Sequence, residues 1–356
     1  MDFTHPYEEV DWSNSEHHLA QFHVHEPRNE LSADTARHEP DVALEGVPID
    51  HIGKNDLSEA SSPGVLIQKY RNAGYTVFSL TEHEYQVDGK KYKRVPYDEV
   101  DADLDKMSWP WSQWGVDADE LGMVALQGGE IRGDVEGVEK LHDIVSLDND
   151  LGHGKDQSVE TVLGEVEDRG GITFLAHPSK YTATEDWELY IPVLESSDAL
   201  LGLEVFNGDD RAPSRELWDK LLTHFGSDRP IWASGGDDYH ARARERYDKR
   251  FNRSRTVILV PELSKQNVTD ALRDGKSYVQ YNGDAQAPFI ESIESTENSI
   301  TITAPSAHEI TWIADGEAVA TGETVVSETL DDPAYVRAEL SGRGGSITAT
   351  QPFYLR

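Results

Sequence analysis

Leu19-Ala20-Gln21-Phe22-His23-Val24-His25 reads as a short strand that ends in His-x-His. Side chains two residues apart on a strand share a face, so both imidazoles can reach one metal ion. Outward from this stretch, the chain to about residue 260 alternates short apolar runs with helical patterns, as an α/β fold with a mostly parallel sheet does. Further strands are predicted over 75–81, 123–129, 142–147, 172–176, 201–206, 231–234 and 256–260. Ser62-Pro63 has the form of an N-cap followed by Pro at the first helical position, with Gly74 placed to end that helix. Ser158 caps a second helix that ends near Arg169, before Gly170-Gly171. Ser264 starts a third that stops before Gly275.

Two stretches interrupt the alternation. Residues 26–60 are polar and carry Pro27, Pro40 and Pro48, and residues 84–120 hold Trp109, Trp111 and Trp114. Both read as insertions between strands, and the Trp-rich one either shields a site or packs as a subdomain or subunit contact. Beyond about 284 the period changes to two, as in Ser299-Ile300-Thr301-Ile302-Thr303, with turn signals such as Asp315-Gly316 between runs. That pattern predicts a small all-β sandwich over 284–356.

The composition narrows the function classes. With 32 Lys+Arg against 67 Asp+Glu, the net charge is −35, which repels nucleic-acid backbones and anionic membranes unless positive charge is locally concentrated. No apolar run reaches the roughly 18 residues of a membrane span, and the first residues lack the basic and apolar regions of a signal peptide. The 8 Trp, 14 Tyr and 9 Phe argue against wholesale disorder. A uniformly acidic surface suits a high-salt cytoplasm, so a cytoplasmic protein of a salt-adapted source is expected. Cysteine is absent, so any metal must be held by His, Asp and Glu.

The 14 His are not scattered. His23 and His25 end the first predicted strand, His83 follows the second, and Glu130 the third. His142 begins a further run, His177 ends Phe174-Leu175-Ala176-His177, and Asp238 and His240 follow the strand at 231–234. Singly each is weak. Jointly they sit at the carboxyl ends of strands, which share one face of an α/β sheet and build its sites.

In this order and spacing, Phe22-His23-Val24-His25, Leu80-Thr81-Glu82-His83, Gly129-Glu130, His142, Ala176-His177-Pro178 and Asp238-Tyr239-His240 resemble the motifs of the polymerase-and-histidinol-phosphatase (PHP) family of metal-dependent hydrolases. The resemblance spans roughly residues 19–283. It implies an α/β fold, a distorted (β/α)7 barrel over 1–283, holding two or three divalent ions at the strand ends. By the same resemblance His23, His25, Glu130 and Asp238 hold one ion. Glu130 bridges to a second held by His142 and His177, and His83 and His240 hold a third. Glu30 stands where the family supplies a further acidic ligand, and Glu82 where it commonly has Asp. The terminal Tyr335-Val336-Arg337-Ala338-Glu339 and Gln351-Pro352-Phe353-Tyr354-Leu355 resemble the β-sandwich of CehA/McbA-like metallohydrolases, a branch that includes carbamate hydrolases.

Imidazole and carboxylate ligands suit Zn, Mn or Fe. The expected chemistry is a metal-bridging hydroxide attacking a small phosphate ester, with Glu130 and Asp238 at the centre. Asp237 either orients that hydroxide or serves only the turn. Arg242, Arg244, Arg246, Lys249, Arg250, Arg253 and Arg255 follow His240 closely. Arg242 and Arg244, with Arg132 and Lys180, either contact an anionic substrate group or pair with carboxylates. The expected partner is a small-molecule ester, phosphorylated, with no membrane and no nucleic acid beyond a short nucleotide. The alternatives are a carboxyl or carbamate ester hydrolase and a metal-stabilised binding module without activity.

Overall fold

The computed structural model describes residues 3–25, 63–81, 86–88, 91–94, 109–138, 142–152, 154, 157–210, 213–240 and 250–355. Its first part comprises β1 (Glu16–Gln21), β2 (Val24–His25), α1 (Pro63–Asn72), β3 (Tyr75–Phe78), β4 (Val124–Ala125), β5 (Gly128–Gly133), β6 (His142–Leu147), α2 (Val159–Asp168) and β7 (Ile172–Leu175). There follow β8 (Leu200–Asn207), α3 (Arg215–Phe225), β9 (Trp232–Gly236), β10 (Tyr239–His240), β11 (Ser254–Val260), α4 (Lys265–Arg273) and β12 (Ser277–Tyr281).

The caps act as their residue types predict. Ser158 accepts a hydrogen bond from the Thr161 N–H, and Ser264 accepts one from Asn267 N–H. Pro63 opens α1, and Gly74 takes a positive φ of 94° two residues past its end. On α2, Val159, Val162, Leu163 and Val166 recur at helical spacing and bury one face against Ile131, Ile144 and Leu203.

The mixed α/β class holds, but the hydrogen bonding does not define one closed seven-stranded ring. Among the described residues its strands fall into two larger sheets and a separate β2-β10 pair. One has the order β9-β8-β7-β6-β5. In the other, β12-β11-β1-β3-β4 form one side of a nine-stranded sheet. The seams explain the difference. Between β9 and β11 the Gly235 N–H is taken by the Thr256 side chain at 3.1 Å, in place of a backbone ladder. β6 runs antiparallel to both β5 and β7, and β11 antiparallel to β1, so simple β/α alternation is broken there.

The last part contains strands and short 3₁₀ turns, with no α-helix among the described residues. They are β13 (Ser292–Ser295), β14 (Ser299–Thr303), β15 (Glu309–Ala314), β16 (Glu317–Thr321), β17 (Thr324–Val326), β18 (Val336–Ser341) and β19 (Ile347–Thr350). Strand pairing runs unbroken across residue 283: β19 pairs antiparallel with β12, β18 with β19, and β15 with β18. The core is shared as well. Phe3, Tyr7, Val257 and Tyr278 pack in one cluster with Ile300, Trp312 and Leu340. A second tie is ionic. Arg337 of β18 donates to Asp219 of α3 through Nε at 2.6 Å and Nη2 at 2.8 Å, and Tyr335 donates to the same carboxylate at 2.5 Å.

In the Trp-rich stretch, Trp111 is buried with Leu66, Ile67 and Tyr70 of α1 and Phe78 of β3. It packs as core, so the packing reading applies to it and the shielding reading does not. Among the described residues no helix is long and apolar enough to cross a membrane.

Candidate metal centre

Strands and the residues just past their ends bring the site together. β1 leads through Phe22 and His23 into β2, which pairs in parallel with β10, so His25 lies beside His240. Their rings are 4.3 Å apart. Glu130 comes from the middle of β5, and His177 and Asp238 sit just past β7 and β9. Both of the latter have left-handed backbone, with φ of 32° at His177 and 45° at Asp238. Such geometry is costly for residues with a side chain and concentrates at functional sites.

The side chains converge on Glu130. Its Oε1 lies 3.3 Å from His23 Nε2 and 3.2 Å from His177 Nε2, and its Oε2 lies 3.5 Å from His25 Nε2. Asp238 Oδ1 lies 3.6 Å from His23 Nε2, 3.3 Å from His25 Nε2 and 3.5 Å from His240 Nδ1. Four overlapping groups result, each with ligand atoms within 4.8 Å of one another: His23, His25 and Glu130; His23, His177 and Asp238; His25, Asp238 and His240; Glu130, Asp143 and His177.

These residues fit a divalent ion on their own chemistry. His23 Nε2 and His177 Nε2 are buried and have no hydrogen-bond partner. A buried polar atom of that kind is costly unless something else satisfies it. The opposite nitrogen of His23, Nδ1, lies 2.8 Å from Glu204 Oε1. A carboxylate only accepts, so Nδ1 carries the proton and Nε2 offers its lone pair to the site. Burial pushes the His23 pKa down, but the charges of Glu204 and Glu130 outweigh it and hold the imidazole well above its ordinary range. An ion would have to displace that proton. Burial pushes Asp238 up, yet the His25 hydrogen bond and the neighbouring histidines hold it well below the usual carboxylate range.

Glu204, on β8, went unread in the sequence. Besides His23 it accepts from the His177 backbone N–H at 3.0 Å and from the Asn207 amide at 2.9 Å. One buried carboxylate therefore orients two of the clustered histidines. Space is made for it at Gly236, where a Cβ would lie 2.2 Å from Glu204 Oε1 and 2.6 Å from His23 Cβ. The signal was a Glu inside the apolar run Leu203-Glu204-Val205-Phe206. Replacing Glu204 by Gln is expected to weaken metal affinity by about 10–100-fold, read by titrating the chelator-stripped protein with Zn²⁺. Unchanged affinity would remove Glu204 from this role.

Other predicted residues fall elsewhere. Asp237 accepts from Tyr70 O–H at 2.8 Å and from the backbone N–H groups of Asn252, Arg253 and Ser254 at 2.7–2.9 Å. Burial pushes it up to about 6. These bonds tie its carboxylate to the backbone at 252–254. Arg132 is tied to Asp143, Nε to Oδ1, at 2.5 Å. Lys180 is half exposed, 3.9 Å from Asp143 Oδ2. Arg250, named only within the basic run, donates to Asp238 Oδ2 at 2.5 Å and leaves Oδ1 to the histidines. His142 Nε2 meets Tyr190 O–H at 2.8 Å and Thr182 Oγ1 at 3.1 Å, and His142 belongs to none of the four groups. Glu30, His83, Arg242 and Arg244 lie outside the described residues.

No family model matches the chain, and no curated protein does. Among solved structures it is similar to a two-domain protein from Bacteroides vulgatus containing a predicted PHP-like metal-dependent phosphoesterase. The TM-score is 0.48 at 16% identity, over 99% of this chain and 98% of that one. It is also similar to a protein from Bifidobacterium adolescentis with a provisional metal-dependent phosphoesterase assignment, at TM-score 0.36 and 14% identity, over 60% and 91% of the two chains. A third is an amidohydrolase from Chromobacterium violaceum with bound SO4 and no metal, at TM-score 0.36 and 14% identity, over 62% and 87%.

Proposed function

We propose that the protein is a metal-dependent hydrolase acting on a small phosphate ester. The observation that carries this is the buried convergence of His23, His25, His177, Glu130 and Asp238, with His23 Nε2 and His177 Nε2 facing carboxylates and without a hydrogen-bond partner. Such a set suits Zn, Mn or Fe. Divalent ions bound there supply an activated water at neutral pH and draw negative charge from the ester oxygens. The chain's own residues do the rest. Glu130 spans the group, reaching His23 and His177 with one oxygen and His25 with the other. Glu204 fixes the His23 tautomer. Arg250 turns Asp238 so that a single oxygen points inward.

The phosphate class is supported by Lys180, half exposed beside Asp143, in a protein whose net charge is −35. That field repels an anion at low salt and is screened as salt rises. The test is metal analysis of the purified chain, followed by assays with an aryl phosphate, an aryl phosphodiester and an aryl carbamate at low and high salt. Expected are bound divalent metal and turnover of a phosphate ester that increases with salt over part of the range. Turnover of the carbamate alone would reassign the substrate class. No bound or activating metal would refute the hydrolase.

A further inference from the structure

We infer that Asp143 is the second carboxylate of the ion group around His177, and that His142 is not a ligand. This rests on the metal-hydrolase reading above.

Strand register carries the inference. β5 and β6 pair antiparallel with Glu130 opposite Val145, Arg132 opposite Asp143 and Gly133 opposite His142. Residues opposite one another share a face, and faces alternate along each strand. Asp143 therefore lies on the face of Glu130, and His142 on the other. The two cores report the same division. Val145 and Leu147 pack with Ala20, Phe22 and Phe174. Ile144, on the His142 face, packs with Tyr190 and the residues of α2, and His142 bonds that same Tyr190.

The distances agree. His177 Nε2, buried and without a hydrogen-bond partner, lies 3.2 Å from Glu130 Oε1 and 3.9 Å from Asp143 Oδ2. Asp143 is 1% exposed. Arg132 holds its Oδ1, and the Tyr181 hydroxyl donates to its Oδ2. A carboxylate has about four lone-pair sites, so two donors leave room for an ion. Donors of this kind orient a ligating carboxylate. The ion beside His177 then meets two carboxylates and one imidazole. The group of His25, Asp238 and His240 offers two imidazoles and one carboxylate. The first is the harder site and selects Mn²⁺ over Zn²⁺ relative to the second.

The test compares Asp143→Asn with His142→Asn in the full chain, stripped with chelator and titrated with Mn²⁺, free Mn²⁺ being followed by electron paramagnetic resonance. Asp143→Asn should weaken one Mn²⁺ per chain by tenfold or more, while His142→Asn keeps the wild-type isotherm. Asp143→Glu, which retains the carboxylate, should recover most of the binding, and separates ligand loss from misfolding. An unchanged Asp143→Asn isotherm overturns the inference. So does loss of the ion in His142→Asn, alone or alongside Asp143→Asn. A wild-type chain that takes up no divalent ion overturns the hydrolase reading as well.

Discussion

Replacing Glu130 by Gln should abolish tight metal binding at the centre and lower ester hydrolysis by on the order of 10³-fold or more. The substitution keeps the shape and removes the charge. Glu130 contacts three histidines at 3.2–3.5 Å, which places it at the centre of the group. With Gln at this position, half of the hydrogen-bonding edge becomes an NH₂ donor facing imidazole nitrogens that must themselves donate lone pairs to an ion. Metal content by mass spectrometry and turnover of an aryl phosphate give the answer together. A variant that retains full metal and full turnover would remove Glu130 from the centre. Loss of turnover with metal intact would instead make it a residue of the reaction and not of ion binding.

The second large effect concerns stability. Arg337→Ala should destabilise the protein by about 3–5 kcal/mol, because breaking a buried ion pair strands its partner. Arg337 is 1% exposed and gives Asp219 two parallel hydrogen bonds. It also donates to Glu339 at 2.7 Å and lies over the Trp218 ring at 5.1 Å. Without it, the Asp219 carboxylate, which is itself buried, keeps Tyr335 but loses its counter-charge. The thermal midpoint should fall by roughly 5 °C. Arg337→Met combined with Asp219→Leu should recover much of the loss, since an apolar pair of similar volume removes both buried charges. Scanning calorimetry of the three proteins checks this. A midpoint within a degree of wild type in Arg337→Ala would mean that the pair contributes little to holding β18 against α3.

Much of the fold was legible because its signals are local. Ser158 and Ser264 cap their helices through their own hydroxyls, and Pro63 opens α1 through its fixed φ. The apolar runs at 142–147, 172–176 and 201–206 became β6, β7 and β8 because buried strands need continuous apolar character. Closure was not legible. Whether strands form one ring or two sheets depends on contacts such as Thr256 with Gly235, which connect positions 21 residues apart. The site was legible in part for the same reason. His-x-His, Ala-His-Pro and Asp-x-His each follow an apolar run that reads as a strand, and His23, His25, His177, Asp238 and His240 do meet in the overlapping groups. Glu204, Gln21 and Asp143 carry no such local mark. Gln21 accepts from His23 N–H at 3.1 Å and from Asp237 N–H at 3.0 Å, joining two segments far apart in the chain.

By itself, the sequence determined the α/β class, the all-β character of the last part, and a cluster of His and carboxylates, without cysteine, that could hold a metal. Each follows from residue type and short-range periodicity. The tertiary structure alone decided which face of β6 meets the site, which carboxylate orients His23, and which cations are already spent on carboxylates. Those outcomes depend on register between strands and on the pairing of charges distant in sequence, and a one-residue change of register would exchange His142 for Asp143.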